Sequence, residues 1–518
     1  MTTSSAKGPP FNLARYCLTA AGAPAGKPAL EVTSDADADG PSEVWTYADL
    51  EDAVLRVAGG LGELGFERGA RILIRLDNTS AYPILFLGAI AAGLVPIPAS
   101  SQLTANEADF LLADSAAAAL ALAPNLPPGD VPPGVRILLE TEIVAMMRAA
   151  PRARYAETTA EDPAYLMYTS GTTARQKGVV HAQRVALGRK PMHQGWCAFS
   201  PHDRLLHAGA FNWTYTLGVG LLDPWANGAT SLIFTGEKTP EVWPRLIRRT
   251  RATLFAAVPG LMRQILKYAP PGPIDLGNLR HGLIAGERPP DDLFDVWRSR
   301  TGTELYEALG MSEISTYISS SPSGPRRLGA VGKPQPGRRV AILPVDGGET
   351  PLPAGSEGLI AVHRSDPGLM LGYWNRPEEE AEAMRGEWFI GGDIGRMDAD
   401  GYVTHLGRAN DVMKALGYRV APQEVEAALA ECPGVADVAC AEIQVRPDVS
   451  VIGAFVIPAA DANIDAEAVL AFAASRLADY KRPREVIFVD AFPRTANGKV
   501  RRRALAEMRA APRGSSKG

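Results

Sequence analysis

Apolar and polar positions along the first 330 residues alternate between short and long segments. Apolar runs such as RILIRL (71–76) and AYLMY (164–168) have the length and composition of buried strands. The segment AYPILFLGAIAAG (81–93) is long enough for a buried helix. Further strands are expected at 94–99, 204–209, 229–234, 252–258, 281–286 and 304–310, and further helices at 241–250 and 291–300.

This alternation predicts parallel sheets that are covered by helices, and such sheets bind ligands beyond the carboxyl ends of their strands. The segment YTSGTTARQKG (168–178) leaves the carboxyl end of the strand at 164–168, so it lies where a ligand is expected. The stretch 116–134, rich first in alanine and then in proline, is expected to be a surface connection.

The pattern changes near Arg338, where RRVAILP, EGLIAVH and the turn DADG predict antiparallel strands joined by tight turns. After Gly407 two amphipathic helices, at 422–432 and 466–480, accompany strands at 449–458 and 484–492. We therefore predict an α/β fold with two domains. Residues 1–409 form a large N-terminal domain of two helix-covered, mainly parallel sheets plus a small β-barrel-like subdomain. Residues 410–518 form a small, mobile α+β C-terminal domain.

Composition and charge narrow the class of protein. A net charge of −5 argues against nucleic acid as the main partner, because phosphate backbones need a basic surface. The four cysteines have no metal-binding spacing, which is typical of a protein from a reducing cytoplasm. The longest apolar run, 81–98, is broken by glycine and proline, so no stable membrane insertion is expected.

The segment YTSGTTARQKG combines glycines, hydroxyl side chains and a lysine, which together suit phosphate binding. It is not a Walker A loop, because Gln176 precedes Lys177 and Gly178 follows it. A polar turn after a buried strand explains the segment equally well when it is considered alone.

Four other stretches place polar side chains at strand ends or on loops: GMSE (310–313), GGD (391–393), GR (407–408) and PRTANGK (493–499). Singly, Glu313 could cap a helix, Asp393 could form an Asx-turn, and Arg408 or Lys499 could be solvated. Together they suit nucleotide chemistry, with a glutamate for Mg²⁺, a carboxylate for ribose hydroxyls and two cations.

In this order and at this spacing, the motifs resemble those of the adenylate-forming superfamily, which includes acyl-CoA synthetases, adenylation domains and luciferases. The matching stretches are TSGTTARQKG, ALGMSE, GYWNRPE, WFIGGD, GRANDVMKALGYRVAPQEVE and PRTANGK. The resemblance covers roughly residues 40–505. The phrase YEALGMSE and the chain length are similar to those of the benzoate and medium-chain CoA ligases.

The resemblance implies that the β- and γ-phosphates of ATP contact Thr169, Ser170, Gly171, Thr172, Thr173 and Lys177. It also implies that Glu313 and Thr172 hold Mg²⁺. The loop departs from the family at Ala174, where glycine is usual, and at Gln176, where proline is usual. Neither departure removes a phosphate donor.

The implied nucleotide contacts are Gly286, Glu287 and Arg288 along the adenine, Gly310, Met311 and Ser312 beside the base and α-phosphate, and Asp393 and Arg408 at the ribose. Leu309 replaces an aromatic that often stacks on the base. Lys499 would bridge the substrate carboxylate and the α-phosphate. A carboxylate is ionised at neutral pH, so no general base is needed, and Lys499, Glu313 and Lys177 would catalyse by electrostatics.

The resemblance also implies a second step, in which the thiol of coenzyme A attacks the acyl carbon along the path that Lys499 occupied. One arrangement cannot serve both steps, so the C-terminal domain is expected to rotate about a hinge at Asn410. Gly417 would then line the tunnel for the pantetheine arm.

The stretch AGAFNWTYTLG (208–218) lies where this family lines its acyl pocket, which gives Phe211, Asn212, Trp213 and Leu309 as candidate pocket residues. Amino-acid-activating members have an aspartate where this chain has Asn212. A neutral amide cannot compensate a buried ammonium, so an apolar monocarboxylate is expected, either aromatic or medium-chain. Trp213 is explained as well by ordinary core packing.

The sequence therefore predicts an ATP-dependent acid–CoA ligase that uses ATP, Mg²⁺ and coenzyme A, as a cytoplasmic monomer or homodimer. One alternative is a stand-alone adenylation enzyme that loads a separate carrier protein. A second is a catalytically silent nucleotide-binding or scaffold protein. Lys499 is also a candidate target for a lysine acyltransferase.

Overall fold

The computed structural model describes residues 8–169, 176–290, 292–409, 413–415, 418–420, 422–446, 449–460, 462–494 and 500–510. The chain forms two compact units. The first comprises residues 1–340, 362–389 and 401–403, and the second comprises residues 341–361, 390–400 and 404–518.

The helices are α1 (Leu13–Thr19), α2 (Tyr47–Glu63), α3 (Ala81–Ala91), α4 (Ala105–Ser115), α5 (Glu140–Ala149), α6 (Val185–Gly195), α7 (Thr214–Leu217), α8 (Asp223–Ala226), α9 (Val242–Arg249), α10 (Pro259–Tyr268), α11 (Leu293–Thr301), α12 (Pro377–Glu382), α13 (Pro422–Ala430), α14 (Ala466–Arg476) and α15 (Arg502–Ala510). A π-helical turn spans Gly218–Leu222, and a 3₁₀ turn spans Asp479–Lys481.

The strands are β1 (Pro28–Thr33), β2 (Glu43–Thr46), β3 (Arg71–Arg75), β4 (Val95–Pro98), β5 (Ala119–Leu122), β6 (Arg136–Leu139), β7 (Pro163–Thr169), β8 (Lys177–Ala182), β9 (Arg204–His207), β10 (Thr230–Phe234), β11 (Leu254–Ala257), β12 (His281–Ala285), β13 (Glu304–Met311), β14 (Ser315–Ser319), β15 (Lys333–Pro334), β16 (Val340–Leu343), β17 (Glu357–His363), β18 (Gly372–Tyr373), β19 (Met384–Arg385), β20 (Trp388–Met397), β21 (Val403–Arg408), β22 (Met413–Ala415), β23 (Tyr418–Val420), β24 (Val435–Arg446), β25 (Val449–Pro458) and β26 (Glu485–Phe488).

Two sheets of the first unit are mainly parallel, as predicted. The larger has the order β15-β14-β13-β12-β11-β9-β10-β1-β2, with parallel pairs from β13 to β1 and antiparallel strands at both edges. The smaller has the order β4-β3-β5-β6 and is parallel throughout. The predicted α/β fold class is confirmed.

Helix α3 shows why the apolar run at 81–98 is not amphipathic. All eleven of its residues are buried, because α3 packs between other elements, α2 and α1 among them. Helix α2, by contrast, begins at a polar cap in which Thr46 and Asp49 satisfy each other's backbone N–H groups. No helix in the described parts of the chain is long and apolar enough to cross a membrane.

The stretch 116–134 is not simply the surface connection that its composition suggests. Residues Ala119–Leu122 form the buried strand β5 between β3 and β6. Alanine is a weak strand former, but its small side chain fits where a parallel strand is covered on both faces. Tertiary packing therefore overrides the local preference.

The strand at 164–168 is also placed differently from the prediction. It belongs to β7, which pairs antiparallel with β8 in a separate three-stranded sheet of order β18-β8-β7. Only a short polar segment connects β7 to β8, and antiparallel strands alone can be joined without a long crossover. The candidate phosphate loop thus joins the two strands of a hairpin.

In the second unit, β16, β17 and β20 are neighbours in that order, and β21 also pairs with β20. Strands β24, β25 and β26 form a sheet that packs with α13 and α14 around a core of its own. The hairpin β22–β23 contributes Met413 and Val420 to that core. This unit has the α+β character that the sequence predicts after residue 407.

Candidate active site

The ends of β7 and β8 hold the two residues that flank the candidate phosphate loop. Thr169 closes β7 and is paired with Lys177, the first residue of β8. The ammonium of Lys177 lies 5.2 Å from the ring centroid of Tyr373 in β18. Lys177 forms no ion pair with any residue that the structure describes.

The turn after β13 carries the candidate metal ligand Glu313. Its Oε1 accepts a hydrogen bond from the Tyr373 hydroxyl at 2.8 Å, and its backbone carbonyl accepts one from the Met370 N–H at 2.8 Å. The preceding carbonyl, that of Ser312, lies 2.8 Å from His181 Nε2. Three contacts therefore fix this turn against β8 and β18.

His181 is neutral at physiological pH. Burial lowers the pKa of its imidazole to about 4, and the bond to the Ser312 carbonyl opposes that shift only in part. A neutral imidazole that bonds a carbonyl through Nε2 carries its proton there, so Nε2 donates. His181 thus supports the carboxylate turn without adding charge beside it.

The residue after β12, Gly286, lies directly against the Trp213 ring. Its φ is +101°, and a Cβ there would lie 2.6 Å from the ring. Glycine is therefore required twice, by backbone conformation and by the close approach. Trp213 is half-buried and meets the Tyr215 ring edge-on at a centroid distance of 5.2 Å.

Glu287 and Arg288 have different surroundings from Gly286. The Glu287 carboxylate accepts a hydrogen bond from Gly260 N–H at 2.7 Å, in the first turn of α10. A carboxylate at that position satisfies a helix N–H and interacts well with the helix dipole. Arg288 is exposed.

The candidate pocket residues divide into core and partly accessible positions. Phe211 is buried in the main core, with its ring 5.4 Å from that of Tyr82. Asn212, Trp213 and Leu309 are half-buried. Sequence alone left core packing and a pocket role equally open for Trp213, and its contact with Gly286 places it beside the candidate nucleotide residues.

Two buried polar groups next to this stretch have no hydrogen-bond partner among the described residues: His207 Nε2 and Thr216 Oγ1. A Cβ on Gly209 would lie 2.3 Å from Thr216 Oγ1 and 3.1 Å from His207 Cε1, so both groups flank the space left by that glycine. Burial lowers the pKa of His207 to about 3, so the imidazole is neutral. Unsatisfied buried polar groups are rare and often mark a place for a ligand or water.

In the second unit, Asp393 and Arg408 come together as an ion pair. Asp393 Oδ1 lies 3.0 Å from Arg408 Nε and 3.1 Å from His405 Nε2, and Arg408 also donates to the Gly391 carbonyl at 2.8 Å. The expectation that Asp393 ends a strand is wrong, because β20 continues to Met397. Gly392 adopts a φ of +81°, so the glycine pair marks an irregularity within the strand.

Gly310 and Met311 are the last residues of β13, and Ser312 opens the turn that follows. Several other predicted site residues lie outside the described residues: Ser170, Gly171, Thr172, Thr173, Asn410, Gly417 and Lys499. Sequence reasoning missed Tyr373 and His181. The only signal for Tyr373 was its place in GYWNRPE, a motif to which no role had been given.

The mainly parallel sheets define an α/β protein, and the Glu313 carboxylate and the Lys177 ammonium, which contact the same tyrosine, suit the binding of a metal and a phosphate. The chain belongs to the family of AMP-binding enzymes. The profile of the AMP-binding enzyme family matches residues 18–374, and that of the AMP-binding enzyme C-terminal domain matches residues 424–499.

Relatives with assigned activities match nearly the whole chain. The benzoate–CoA ligase of Thauera aromatica is 31% identical over 477 residues, which cover 88% of this chain and 90% of the relative. The mitochondrial acyl-coenzyme A synthetase ACSM5 of Mus musculus is 32% identical over 496 residues, covering 89% and 84%. The crystal structure of a benzoate CoA ligase from Burkholderia xenovorans LB400 superposes with a TM-score of 0.85 at 28% identity, covering 96% of this chain and 100% of that one.

Proposed function

We propose that this protein is an ATP-dependent acid–CoA ligase. It activates an apolar monocarboxylate, either aromatic or medium-chain, as acyl-AMP and then transfers the acyl group to coenzyme A. The observation that carries the proposal is that one tyrosine contacts both groups: the Tyr373 hydroxyl donates to the Glu313 carboxylate, and the Lys177 ammonium lies 5.2 Å from the centroid of its ring. The proposed metal ligand and the proposed phosphate-binding cation thus contact the same side chain and form no ion pair with each other.

The residues present fit Mg²⁺. One oxygen of Glu313 is bonded by Tyr373, and within the described parts of the chain the other accepts no hydrogen bond. No cluster of three or more metal-binding side chains occurs among those residues. Mg²⁺ is commonly held by one or two carboxylates together with substrate phosphates, so a single glutamate suffices, with Thr172 proposed as a second protein ligand. When bound, Mg²⁺ neutralises phosphate charge.

In the first step a carboxylate oxygen of the acid forms a bond to the α-phosphorus of ATP. The bond from that phosphorus to the bridging oxygen breaks, and pyrophosphate leaves. Thr169, Lys177 and the loop between them would hold the β- and γ-phosphates. Ser312 and Lys499 would bind the α-phosphate, whose negative charge grows in the transition state.

The remaining nucleotide contacts are proposed from the resemblance. Asp393, oriented by Arg408 and His405, would accept the ribose hydroxyls. Gly286, Glu287, Arg288, Gly310 and Met311 would line the adenine. Leu309 would offer the base an apolar surface in place of an aromatic ring.

In the second step the thiol of coenzyme A gives up its proton and its sulfur forms a bond to the acyl carbon. The bond from that carbon to the phosphate oxygen breaks, and AMP leaves with the electron pair. We propose that a C-terminal domain, beginning at residue 410, rotates about Asn410 to admit the thiol. Gly417 would then line the pantetheine path.

Four further proposals accompany this function. The enzyme acts in the cytoplasm, as a monomer or homodimer, without a nucleic acid partner. We also propose that Lys499 is a target of a lysine acyltransferase. Mass spectrometry of the native protein that never finds Lys499 acylated would contradict this.

The deciding experiment measures pyrophosphate release and acyl-CoA formation over a panel of acids, with and without coenzyme A. The panel pairs benzoate with its hydroxylated forms, because His207 Nε2 and Thr216 Oγ1 have no hydrogen-bond partner among the residues that the structure describes, and it adds straight-chain acids. Acid-dependent pyrophosphate release with acyl-CoA formation is expected. Pyrophosphate release without acyl-CoA would favour carrier loading, and no release with any acid would favour a silent protein.

A further inference from the structure

We propose that residues Gly372–Arg376 form a brace that fixes the Glu313 carboxylate relative to both strands of the β7–β8 hairpin, with Tyr373 as a positioning residue. The brace holds Glu313 and Lys177 apart, so that each is free for MgATP. This inference rests on the proposed function, because it assigns Glu313 to the metal and Lys177 to the phosphates.

Tyr373 contacts two groups of opposite charge. In the strand pairing it is opposite Val179, two residues along β8 from Lys177. Its hydroxyl donates to Glu313 Oε1 at 2.8 Å, while its ring centroid lies 5.2 Å from the Lys177 ammonium. One neutral side chain therefore contacts the carboxylate through its edge and the cation through its ring.

The consequence of this placement is electrostatic. A glutamate and a lysine in direct contact would form an ion pair, and MgATP binding would have to break it. Tyr373 instead offers the carboxylate a neutral donor and the ammonium a ring face, both weaker partners than the opposite charge. Mg²⁺ and phosphate can displace or supplement these contacts without separating an ion pair.

The rest of the brace ties Tyr373 to the hairpin. The Trp374 N–H donates to the Gly178 carbonyl at 2.7 Å, next to Lys177 in β8. The Trp374 indole donates to the Asp114 carbonyl at 3.0 Å, and the Asp114 carboxylate pairs with Arg376 at 2.5 Å.

The same carboxylate of Asp114 accepts a hydrogen bond from the Tyr168 hydroxyl at 2.7 Å, at the end of β7. The brace thus reaches β8 through Gly178 and β7 through Tyr168.

The test is the Tyr373→Phe variant, which removes only the hydroxyl and keeps both the ring and the strand pairing with Val179. We expect it to bind ATP without metal as the wild type does. The gain in ATP affinity on adding Mg²⁺, measured by isothermal titration calorimetry, is expected to fall about tenfold, as for loss of one hydrogen bond to a charged group. The Mg²⁺ concentration for half-maximal pyrophosphate release should rise in parallel.

The matched control is Tyr155→Phe, which removes another tyrosine–glutamate hydrogen bond, 3.0 Å to Glu51, away from the site. It should leave the Mg²⁺ dependence unchanged. In a Glu313→Ala background, Tyr373→Phe should have no further effect on the increase in ATP affinity that Mg²⁺ produces.

Two results would overturn the brace. In the first, Tyr373→Phe leaves the increase in ATP affinity on adding Mg²⁺ unchanged. In the second, Tyr373→Phe reduces that increase by the same factor in the Glu313→Ala background as in the wild type. A wild-type protein that binds ATP no better with Mg²⁺ than without it would instead contradict the proposed function. The two failures are therefore distinguishable.

Discussion

At the scale of single residues, the site depends on positions where one side chain must be small or uncharged. Gly286 leaves room for the Trp213 ring, Tyr373 separates a carboxylate from a cation, and His181 bonds a carbonyl without charge. None of these properties is visible from residue type alone. Each depends on which neighbour the fold supplies.

Gly286→Ala should impair binding of the acid and of ATP. The added Cβ would lie 2.6 Å from the Trp213 ring at a φ of +101°, so both the ring and the backbone must shift. Overpacking and strain of this kind cost roughly 1–3 kcal/mol. A rise in the KM of the acid of at least about fivefold is expected by the same estimate.

The control for this variant is Gly272→Ala, at a φ of +99° with no atom within 4 Å of the added Cβ. It carries the conformational strain without the clash. If both variants raise KM equally, the contact between Gly286 and Trp213 has no role in binding.

Acidification should destabilise the protein through three buried histidines. Burial lowers the pKa values of His181 and His281 to about 4 and that of His207 to about 3, from 6.5 when unfolded. Between those values the unfolded state binds more protons, so stability rises with pH, by up to about 1.4 kcal/mol per pH unit for each histidine. The thermal midpoint of unfolding should therefore decrease as the pH is lowered from 6.5 to 4.

One of the three can be removed conservatively. His281→Gln retains a donor for the Cys197 carbonyl, which lies 3.1 Å from His281 Nε2, and should reduce the pH dependence of the thermal midpoint. His202→Gln, at an exposed position, should leave that dependence as it is. If the thermal midpoint changes with pH by the same slope in the wild type, His281→Gln and His202→Gln, then protonation of His281 does not contribute to the acid destabilisation.

At the scale of elements, the fold depends on contacts between segments distant in sequence. Helices α6 and α8 are joined by the buried pair Arg189–Asp223, at 2.6 Å, and Arg189 also hydrogen-bonds Ser315 at the start of β14. Ser315 follows the Glu313 turn by two residues. Burial alone would raise the pKa of the Asp223 carboxyl, but the Arg189 guanidinium outweighs it and keeps that pKa below its ordinary value.

Asp223→Asn should destabilise the protein by about 3–5 kcal/mol, because it leaves Arg189 buried without a counter-charge. Chemical denaturation measures the loss. Asp37→Asn, which breaks the exposed pair with Arg245, should cost less than about 1 kcal/mol. Similar losses in the two variants would mean that burial does not set the strength of these ion pairs.

At the scale of the whole molecule, the chain forms two compact units, and the proposed catalytic lysine belongs to the second by sequence. The other groups that we propose for adenylation come from both units, with Glu313, Lys177 and Ser312 in the first and Asp393 and Arg408 in the second.

Lys499→Ala should lower the rate of pyrophosphate release by roughly 10²–10³, as for removal of one transition-state donor. The same variant, given a preformed acyl-adenylate and coenzyme A, should still form the thioester. Lys481→Ala, which removes a lysine paired with Glu424 in the same unit, is the control and should retain both steps. Adenylation at the wild-type rate in Lys499→Ala would contradict the proposed mechanism.

The sequence determined the kind of each element in most of the chain. Strands at 71–76, 204–209, 252–258 and 281–286 and the helix at 81–93 were found where apolar runs predicted them. Local apolar patterns specify whether a segment is a strand or a helix, because that choice depends on neighbours a few residues apart. The order of polar motifs likewise identified the family without coordinates.

Tertiary structure alone decided which strands and side chains meet. It paired β7 with β8 as a hairpin and buried the alanine-rich strand β5 inside a sheet. It also extended strand β20 beyond Asp393, where the sequence predicted a strand end. It also brought Tyr373 to Glu313 across 60 residues of sequence. Such partners are chosen by packing and by satisfaction of buried polar groups over long sequence separations, and no local pattern in the chain records that choice.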